Sequence, residues 1–550
     1  MFNFWWQADE TTTRWVRRLR DHPSEALFIF GFLCTLLIMP RSPMLMVSDN
    51  FKRFRNASWI CTGADPGGPL PGVGGVGHHW YGIGQSLVFI PFDRCLAALG
   101  INDVGTRFSI TVLVLAPVIN GLVLFLSWHT LRMLDFKPRV CTWGTLLLMT
   151  CTTLPWHFQN NQENPMMLAS ALAAVIGLFR WFDTGSWIWL NIACAAQAFS
   201  LCIRVPNLAY ILPIFGLPLL SRILDRTVRV DWKEELGRLW GMMLVAVPWM
   251  GLGLLLDRLW QWVRFGTWKG TYFTVFAEWA FTNFDILPPG FPFSVNFNEG
   301  LRGQLFSPGK GVVFYEPFVL LAVAFWFLPR TKTNPRLKAM ILVATVALIG
   351  SIAGLARSNY WDGDPSWGPR LLASPAHLLE LPLAAWLVAS VTGSIPLRRL
   401  LGVAAASLMT LQISGVWWPA YHEVVIAVQK RGAKYAEFTT SLYQRGLPWS
   451  DSSQTQEWRI ANRPLQVAID LGNQFTQPRD VWLAQTPTAR MIWGTLPLTN
   501  VSPFVRWTIR LIWFSGIAVL VWLTRQAIVG SREQPTQGRQ ADESSPTLRH

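Results

Sequence analysis

The sequence predicts an all-α polytopic integral membrane protein with about twelve transmembrane helices. Three observations predict this class: 51% of the 550 residues are hydrophobic, 14% are charged, and the mean hydropathy is +0.29. Soluble domains carry about a quarter of their residues as charges and do not average hydrophobic. Because apolar segments recur along most of the chain, we expect one membrane domain with extramembrane loops.

The apolar segments that approach the roughly 20 residues needed to cross a bilayer define the predicted spans. They are 26–46, 107–129, 139–155, 165–182, 187–203, 206–221, 239–257, 313–329, 339–356, 371–394, 399–419 and 507–525. A further stretch, 83–99, contains Pro91, Asp93 and Arg94. We predict that it forms a helix at the membrane interface, because counting it as a span would reverse the sidedness of the basic loops.

Lys and Arg cluster before the first span and in nearly every second loop, which predicts that these regions face the cytoplasm. The clusters are Arg14, Arg17, Arg18 and Arg20; Arg132, Lys137 and Arg139; Arg222, Arg226, Arg229 and Lys233; Arg330, Lys332, Arg336 and Lys338; and Arg398 and Arg399. Both termini are therefore expected in the cytoplasm. The net charge of +15 is attributed to these topology determinants rather than to a nucleic-acid partner.

This topology divides the chain into a cytoplasmic N-terminus, a main membrane domain, an outer segment, a last span and a tail. The predicted bounds are 1–25, 26–419 with outer loops 47–106 and 258–312, 420–506 as a cap over the site, 507–525, and 526–550 as a disordered cytoplasmic tail. The cytoplasmic loops are too short to fold a nucleotide-binding domain. Recognition and chemistry are therefore expected on the outer side, with a lipid-carried substrate.

Asp49 directly follows the first span and precedes Lys52, Arg53 and Arg55. A carboxylate at the membrane surface with cations nearby stays ionised and can accept a proton from an incoming hydroxyl. The alternative is that Asp49 caps the N-terminus of an interfacial helix, a position that Asp also favours.

A Gly- and Pro-rich loop, 66–77, ends at His78 and His79. We interpret the two histidines as polar lining of a ligand site rather than metal ligands, because a third ligand is not identifiable. Cys61 and Cys95 lie outside the spans and could pair, but spacing does not determine connectivity.

Three outer segments, 264–272, 306–311 and 360–370, combine a cation with glycine and aromatic residues. The cations considered are Arg264, Lys310 and Arg370. This combination suits the binding of a phosphate and stacking on a sugar. The alternative for each is a surface turn anchored by Trp, Tyr and Arg.

Asp362 and Asp364 have the spacing of two carboxylates that share a hard cation. A lipid-carried substrate has no nucleotide diphosphate for a metal to bridge. We therefore predict no cofactor and no metal, with a divalent cation at this pair as the alternative.

Several motifs occur in a defined order over residues 25–390. They are Asp49, Tyr81-Gly82-Ile83-Gly84-Gln85-Ser86, Arg107, Glu163-Asn164-Pro165, Arg264-Phe265-Gly266, Ser307-Pro308-Gly309-Lys310-Gly311 and Trp367-Gly368-Pro369-Arg370. This ordered set resembles the GT-C superfamily of membrane glycosyltransferases. It is most similar to the bacterial branch related to protein O-mannosyltransferases and aminoarabinose transferases.

The resemblance implies an inverting transfer of one sugar from a polyprenyl-phosphate donor to an extracytoplasmic acceptor, in the bacterial inner membrane. Asp49 would be the general base, and Arg370, Lys310 and Arg264 would bind the donor phosphate. The residues expected to bind substrate are His78, His79, Glu163, Trp361, Asp362, Asp364 and Trp367. The alternative function is a transporter or flippase for a lipid-linked glycan, which would be expected to carry charges in mid-span.

Overall fold

The structure is a computed structural model that describes residues 17–38, 49–79, 81–159, 163–225, 227, 230–270, 274–275, 277–278, 290, 293–306, 311–327, 334–358, 369–391, 394–417 and 503–533. The helices are α1 Pro23–Ile38, α2 Asp49–Thr62, α3 Gly84–Ala98, α4 Val104–Met133, α5 Pro138–Cys151, α6 Leu154–Gln159, α7 Glu163–Thr184, α8 Trp187–Ile203, α9 Leu208–Phe215, α10 Leu217–Ile223, α11 Trp232–Phe265, α12 Phe297–Phe306, α13 Val312–Tyr315, α14 Leu321–Phe327, α15 Pro335–Leu355, α16 Ala373–Val391, α17 Ile395–Trp417 and α18 Pro503–Glu533. Strands β1 Leu70–Pro71 and β2 Gly77–His78 pair antiparallel, and short 3-10 turns cover Val73–Gly75, Val205–Asn207 and Pro317–Leu320.

Within the described residues, six helical segments are long and apolar enough to cross a membrane, so this is a helical integral membrane protein. They are Val104–Met133, Glu163–Thr184, Val205–Ile223, Trp232–Phe265, Pro335–Leu355 and Ala373–Val391. Shorter apolar helices occur at Pro23–Ile38, Trp187–Ile203, Pro317–Phe327 and Ser515–Val529. Helix is present in each predicted span, but the total of about twelve stays a prediction.

Two predicted spans are interrupted where proline or a cap breaks the helix. The segment 313–329 divides into α13, a 3-10 turn that begins at Pro317, and α14. The segment 206–221 divides at Gly216 into α9 and α10. Proline cannot donate a backbone hydrogen bond, so the regular hydrogen bonding of the helix is interrupted at Pro317.

The main core lies between the long helices, and glycine allows several of them to approach closely. A Cβ on Gly121 of α4 would lie 2.7 Å from the carbonyl oxygen of Phe28 in α1. A Cβ on Gly177 of α7 would lie 2.7 Å from the carbonyl oxygen of Trp189 in α8. Small residues at helix contacts are typical of membrane bundles, where close packing drives association.

Helix α3 lies within the stretch 83–99, and its 15 residues are too few to span a bilayer. Its position at the membrane interface stays a prediction. Arg107 of α4 connects α3 to its neighbours. Its Nε donates to Asp93 Oδ1 at 2.6 Å, and its Nη2 donates to Ser58 Oγ of α2 at 2.7 Å. Asp93 is fully buried, so this charge-assisted contact compensates its desolvation. The side chain of Arg107 thus joins helices α2, α3 and α4.

The last helix, Pro503–Glu533, extends beyond both predicted bounds of the last span, 507–525, and into the segment predicted as a disordered tail. The bounds of the span itself stay a prediction. The predicted cap at 420–506 lies outside the described residues, except where α18 begins at Pro503. Cys61 and Cys95 are both free, and the Cys61 thiol donates to the carbonyl of Ile90.

Candidate active site

Asp49 is the first residue of α2, and its carboxylate contacts side chains from three parts of the chain. Arg370 Nη2 donates to Asp49 Oδ2. The Tyr81 hydroxyl donates to Asp49 Oδ1 at 2.5 Å, and Lys52 Nζ lies 3.5 Å from the same oxygen. The N-terminus of a helix also stabilises a carboxylate. The side chain retains 22% exposure, so a substrate could reach it.

Tyr81 connects Asp49 to a second carboxylate, Glu163, which is fully buried. The guanidinium of Arg53 lies 4.1 Å from the centre of the Tyr81 ring and pairs with Glu163 Oε2. Arg204 pairs with Glu163 Oε1. Two arginines therefore compensate one buried negative charge. We call Asp49, Lys52, Arg53, Tyr81, Glu163, Arg204 and Arg370 the Asp49 network.

The Asp49 network carries a net charge of +2. It contains four cations, Lys52, Arg53, Arg204 and Arg370, and two carboxylates, Asp49 and Glu163. Lys52 is 34% exposed and Arg370 is 11% exposed, whereas Arg53 is 4% exposed. A partly buried group of this sign attracts anions. Lys52 and Arg370 are thus better placed than Arg53 to meet one.

The start of α7 holds Arg370 near Asp49. Asn164 Nδ2 donates to the backbone carbonyl of Arg370 at 3.1 Å, and Ser374 Oγ donates to the carbonyl of Asn164 at 3.2 Å. Glu163 and Asn164 therefore serve two purposes at adjacent positions. Glu163 pairs with two arginines of the network, Arg53 and Arg204, and Asn164 joins α7 to the segment before α16.

Glycines in the Tyr81-Gly82-Ile83-Gly84 motif let Tyr81 approach the end of α8. A Cβ on Gly82 would lie 2.6 Å from the Ile203 carbonyl oxygen, and one on Gly84 would lie 2.6 Å from the Ile203 nitrogen. Distances this short exclude a larger side chain unless the backbone moves. Since Arg204 directly follows Ile203, the same close approach brings Tyr81 and Arg204 to the network.

The next two residues of the motif bind α2. Gln85 Nε2 donates to Asn50 Oδ1 at 3.0 Å, and Ser86 Oγ donates to the backbone carbonyl of Arg53 at 3.0 Å. These contacts join α3 to the turn of α2 that carries Asp49. The motif is therefore a support for the network as well as the source of Tyr81.

His78 and His79 occupy different environments. The His78 ring packs at 4.5 Å from Trp59 and at 5.8 Å from Phe265, centre to centre. Burial lowers the pKa of each histidine to about 4, and the nearby Lys52 also lowers that of His79. Both histidines are therefore neutral near pH 7. The structure places His79 near the Asp49 network and His78 among aromatic rings.

Arg264 is fully buried between Trp260 and Phe265, with its guanidinium 4.4 and 4.9 Å from their ring centres. Its Nη1 donates to the carbonyl of His79. Rings and loop backbone enclose the guanidinium, and its contact with His79 holds that loop in place. The predicted contact of Arg264 with a donor phosphate stays a prediction.

The carboxylate of Glu163 is fully buried and paired with two arginines, so it orients these cations. Its predicted contact with a substrate stays a prediction. The remaining predicted site residues, Lys310, Trp361, Asp362, Asp364 and Trp367, lie outside the described residues. Their roles, and the divalent cation considered at Asp362 and Asp364, stay predictions.

The electrostatic surroundings of Asp49 favour its ionised form. Burial acts to raise the pKa of Asp49, but the charges of Arg370, Lys52 and Arg53 outweigh burial and hold that pKa well below its usual range. Burial and the adjacent Asp49 carboxylate raise the pKa of Tyr81 well above its usual value. The pair therefore consists of a carboxylate and a neutral phenol near pH 7.

Four network members were not predicted as site residues: Lys52, Arg53, Tyr81 and Arg204. Lys52 and Arg53 follow Asp49 by three and four positions, a spacing that places side chains on one face of a helix. Tyr81 opens the glycine motif, and Arg204 directly follows the predicted span 187–203. The spacing predicts that Arg53 lies on the same face of the helix as Asp49, but it does not identify Glu163 as the partner of Arg53.

Comparisons with known proteins give structural matches at low similarity. No protein-family model matches the chain, and no curated protein matches it. Two solved structures to which it is similar are both of ArnT from Cupriavidus metallidurans. One, bound to undecaprenyl phosphate, has 14% sequence identity and a TM-score of 0.40; the other, in the apo state, has 15% and 0.41.

Each of these two matches covers 86% of this chain and 82% of the other. Because both TM-scores are low, the function of this chain has to follow from its own residues.

Proposed function

We propose that this protein is an inverting glycosyltransferase that moves a monosaccharide from a polyprenyl-phosphate donor to an extracytoplasmic acceptor. The observation that carries the proposal is the contact between Asp49 and Arg370 within a network of net positive charge. It places a candidate base beside a cation that can hold the leaving phosphate. The reaction needs the base and the phosphate-binding cation within a few ångströms of each other.

The charge of the network suits this donor. A sugar linked to a polyprenyl phosphate carries one negative charge on its phosphodiester, and the departing polyprenyl phosphate gains a second as the bond breaks. The net charge of +2 in the Asp49 network matches the two negative charges of the departing polyprenyl phosphate. Cations positioned where charge develops lower the barrier more than they tighten substrate binding.

In the proposed step, Asp49 accepts the proton of the acceptor hydroxyl while the hydroxyl oxygen attacks the anomeric carbon of the donor sugar. The bond from that carbon to the phosphate oxygen breaks, and its electron pair leaves on polyprenyl phosphate. Attack opposite the leaving group inverts the anomeric centre. Arg370 and Lys52 stabilise the phosphate, and Asp49 later releases its proton to solvent.

Donor binding also alters the basicity of Asp49. While Arg370 is paired with Asp49, the pKa of the carboxyl is held well below its usual range, which makes it a weak base. A donor phosphate next to Arg370 offsets the positive charge there and brings a negative charge nearby. Both changes raise the pKa of Asp49 toward values suited to proton transfer.

The alternative function, transport or flipping of a lipid-linked glycan, would use the same cations for head-group binding. It has no need of a carboxylate that accepts a proton from an incoming hydroxyl. The arrangement of Asp49, Tyr81 and Arg370 therefore favours the transferase.

The test is transfer or hydrolysis of a panel of radiolabelled polyprenyl-phosphate sugars by the purified full-length protein. We expect one donor to be turned over, and Asp49→Asn to lower its kcat by about 10²- to 10⁴-fold, the range for loss of a general base. Asp183→Asn is the matched control, since it removes the carboxylate from a different Asp–Arg pair, Asp183 with Arg336.

Turnover that is unchanged in Asp49→Asn would refute the role of Asp49. Absence of turnover across the panel, together with lipid-linked glycan movement in proteoliposomes, would instead support the flippase.

A further inference from the structure

A second polar group lies within the helical bundle, separate from the Asp49 network. His377 Nε2 lies 3.2 Å from Glu316 Oε1 and 3.2 Å from the hydroxyl of Thr153, which also donates to Glu316. Glu316, His377 and Glu380 each offer one ligand atom, and these three atoms lie within 4.8 Å of one another. All four side chains are buried. We call these four residues the Glu316 cluster.

The Glu316 cluster differs from the other buried carboxylates among the described residues in what compensates its charge. Asp93 pairs with Arg107, Glu163 with Arg53 and Arg204, Glu235 with Arg222 and Arg238, and Asp257 with Arg258. Among the described residues, Glu316 forms an ion pair with His377, and Glu380 forms none. Two adjacent buried carboxylates are not both stable as anions unless a cation or a shared proton compensates their charge.

We propose that Glu316, His377 and Glu380 bind one divalent transition-metal ion, of the Zn²⁺ or Mn²⁺ type. A histidine nitrogen with two carboxylate oxygens is a ligand set that these ions accept. A divalent cation brings the two carboxylates and a neutral histidine to zero net charge. Independently of the carboxylate pair, Glu380 Oε2 is buried and has no hydrogen-bond partner among the described residues.

The ligands come from segments that a metal ion would hold together. His377 and Glu380 lie three residues apart on α16, so both fall on one face of that helix. Glu316 lies between α13 and the 3-10 turn Pro317–Leu320, and the amide of Phe318 donates to Glu380 Oε1 at 3.1 Å. Ionisable groups inside membrane helices are costly and usually serve a function.

Metal content is measured without reference to glycosyl transfer, so the two proposals can fail separately. The full-length protein, purified in nanodiscs without a polyhistidine tag or chelator, is analysed by inductively coupled plasma mass spectrometry. We expect about one Zn²⁺ or Mn²⁺ per chain. Glu380→Gln and His377→Gln should each weaken binding at least tenfold, since even outer-shell partners contribute about 10- to 100-fold.

His157→Gln is the matched control, because His157 is a buried histidine 5.9 Å from His377, ring centre to ring centre, but is outside the ligand set. It should retain the metal. A strong chelator should lower the melting temperature of the wild type, and Zn²⁺ or Mn²⁺ should restore it. If the ligand variants do not fold, these melting temperatures of the wild type test the proposal by themselves.

Wild-type protein that contains no divalent metal, and gains none on incubation with Zn²⁺ or Mn²⁺, would overturn the proposal. The carboxylates would then be neutralised by protons. Full metal content in folded Glu380→Gln protein would overturn it as well.

Discussion

Arg370 donates a hydrogen bond to Asp49 although 321 positions separate the two residues in the chain. Asp49 begins α2, and Arg370 lies just before α16. The contact brings together the start of a short helix and the entrance to a long apolar one. It joins the two residues that the sequence motifs suggested as base and phosphate ligand, and the charge of Arg370 favours the ionised form of Asp49.

Replacing Arg370 with Ala should move the acid limb of the pH profile of kcat/KM upward. Arg370 lowers the pKa of Asp49, so its removal lets that pKa rise by about 1 to 3 units, the usual effect of an adjacent arginine. The measurement is residual kcat/KM between pH 3 and 8. An acid limb in the same place as that of the wild type would show that Arg370 does not act on the base.

The same pair should affect stability at low pH. Folding lowers the pKa of Asp49. Its stabilisation is therefore present above the pKa of an unfolded Asp, about 3.9, and is lost as pH falls through the folded pKa. The melting temperatures of wild type and Asp49→Asn should differ by a constant amount from pH 5 to 8 and converge in strong acid. A difference that varies between pH 5 and 8 would implicate another group.

Tyr81→Phe tests the hydrogen bond to Asp49 while keeping the ring that lies against Arg53. A hydrogen bond to a charged group contributes about 1.5–3 kcal/mol, so we expect kcat to fall by about tenfold or more. Donor KM should change little, because Tyr81 contacts Asp49 rather than the cations exposed to the phosphate. A change confined to KM would place Tyr81 in donor binding instead.

Glu163→Gln should destabilise the fold strongly, because it leaves Arg53 and Arg204 against a neutral amide. Breaking a buried ion pair from one side costs about 3–5 kcal/mol. Asp183→Asn, in the half-exposed pair with Arg336, should cost less than about 1 kcal/mol. Equilibrium unfolding in mixed micelles compares the two variants. Equal losses would mean that the interior of the network is hydrated.

Gly82→Ala should impair both activity and stability, because its Cβ would lie 2.6 Å from the Ile203 carbonyl oxygen. The motif must then move away from α8 and take Tyr81 with it. Gly251→Ala in α11 is the control, since nothing lies within 4 Å of its added Cβ. That variant should melt at or above the wild-type temperature, as alanine favours helix. Wild-type activity in Gly82→Ala would contradict the close approach.

Sequence patterns predicted the local features well where one segment decides them. Apolar length located the helices, and the polar residues of 83–99 marked a helix too short to span. The same patterns do not decide the role of Arg264, because a cation beside glycine and aromatic residues is typical both of a phosphate site and of a packed anchor. They also gave no sign that Glu316 meets His377 and Glu380, since Glu316 lies in the predicted span 313–329 and the other two lie in 371–394.

The sequence by itself determined that this is a helical membrane protein, where its apolar helices run, and that Asp49 follows the first of them among cations. These features depend on hydropathy and charge within windows of about 20 residues, which the chain displays directly. The tertiary structure decided which arginine pairs with which carboxylate: Arg370 with Asp49, and Arg53 and Arg204 with Glu163. Such pairs form between distant residues, and their energies depend on burial and on distances of a few ångströms that helix packing alone sets.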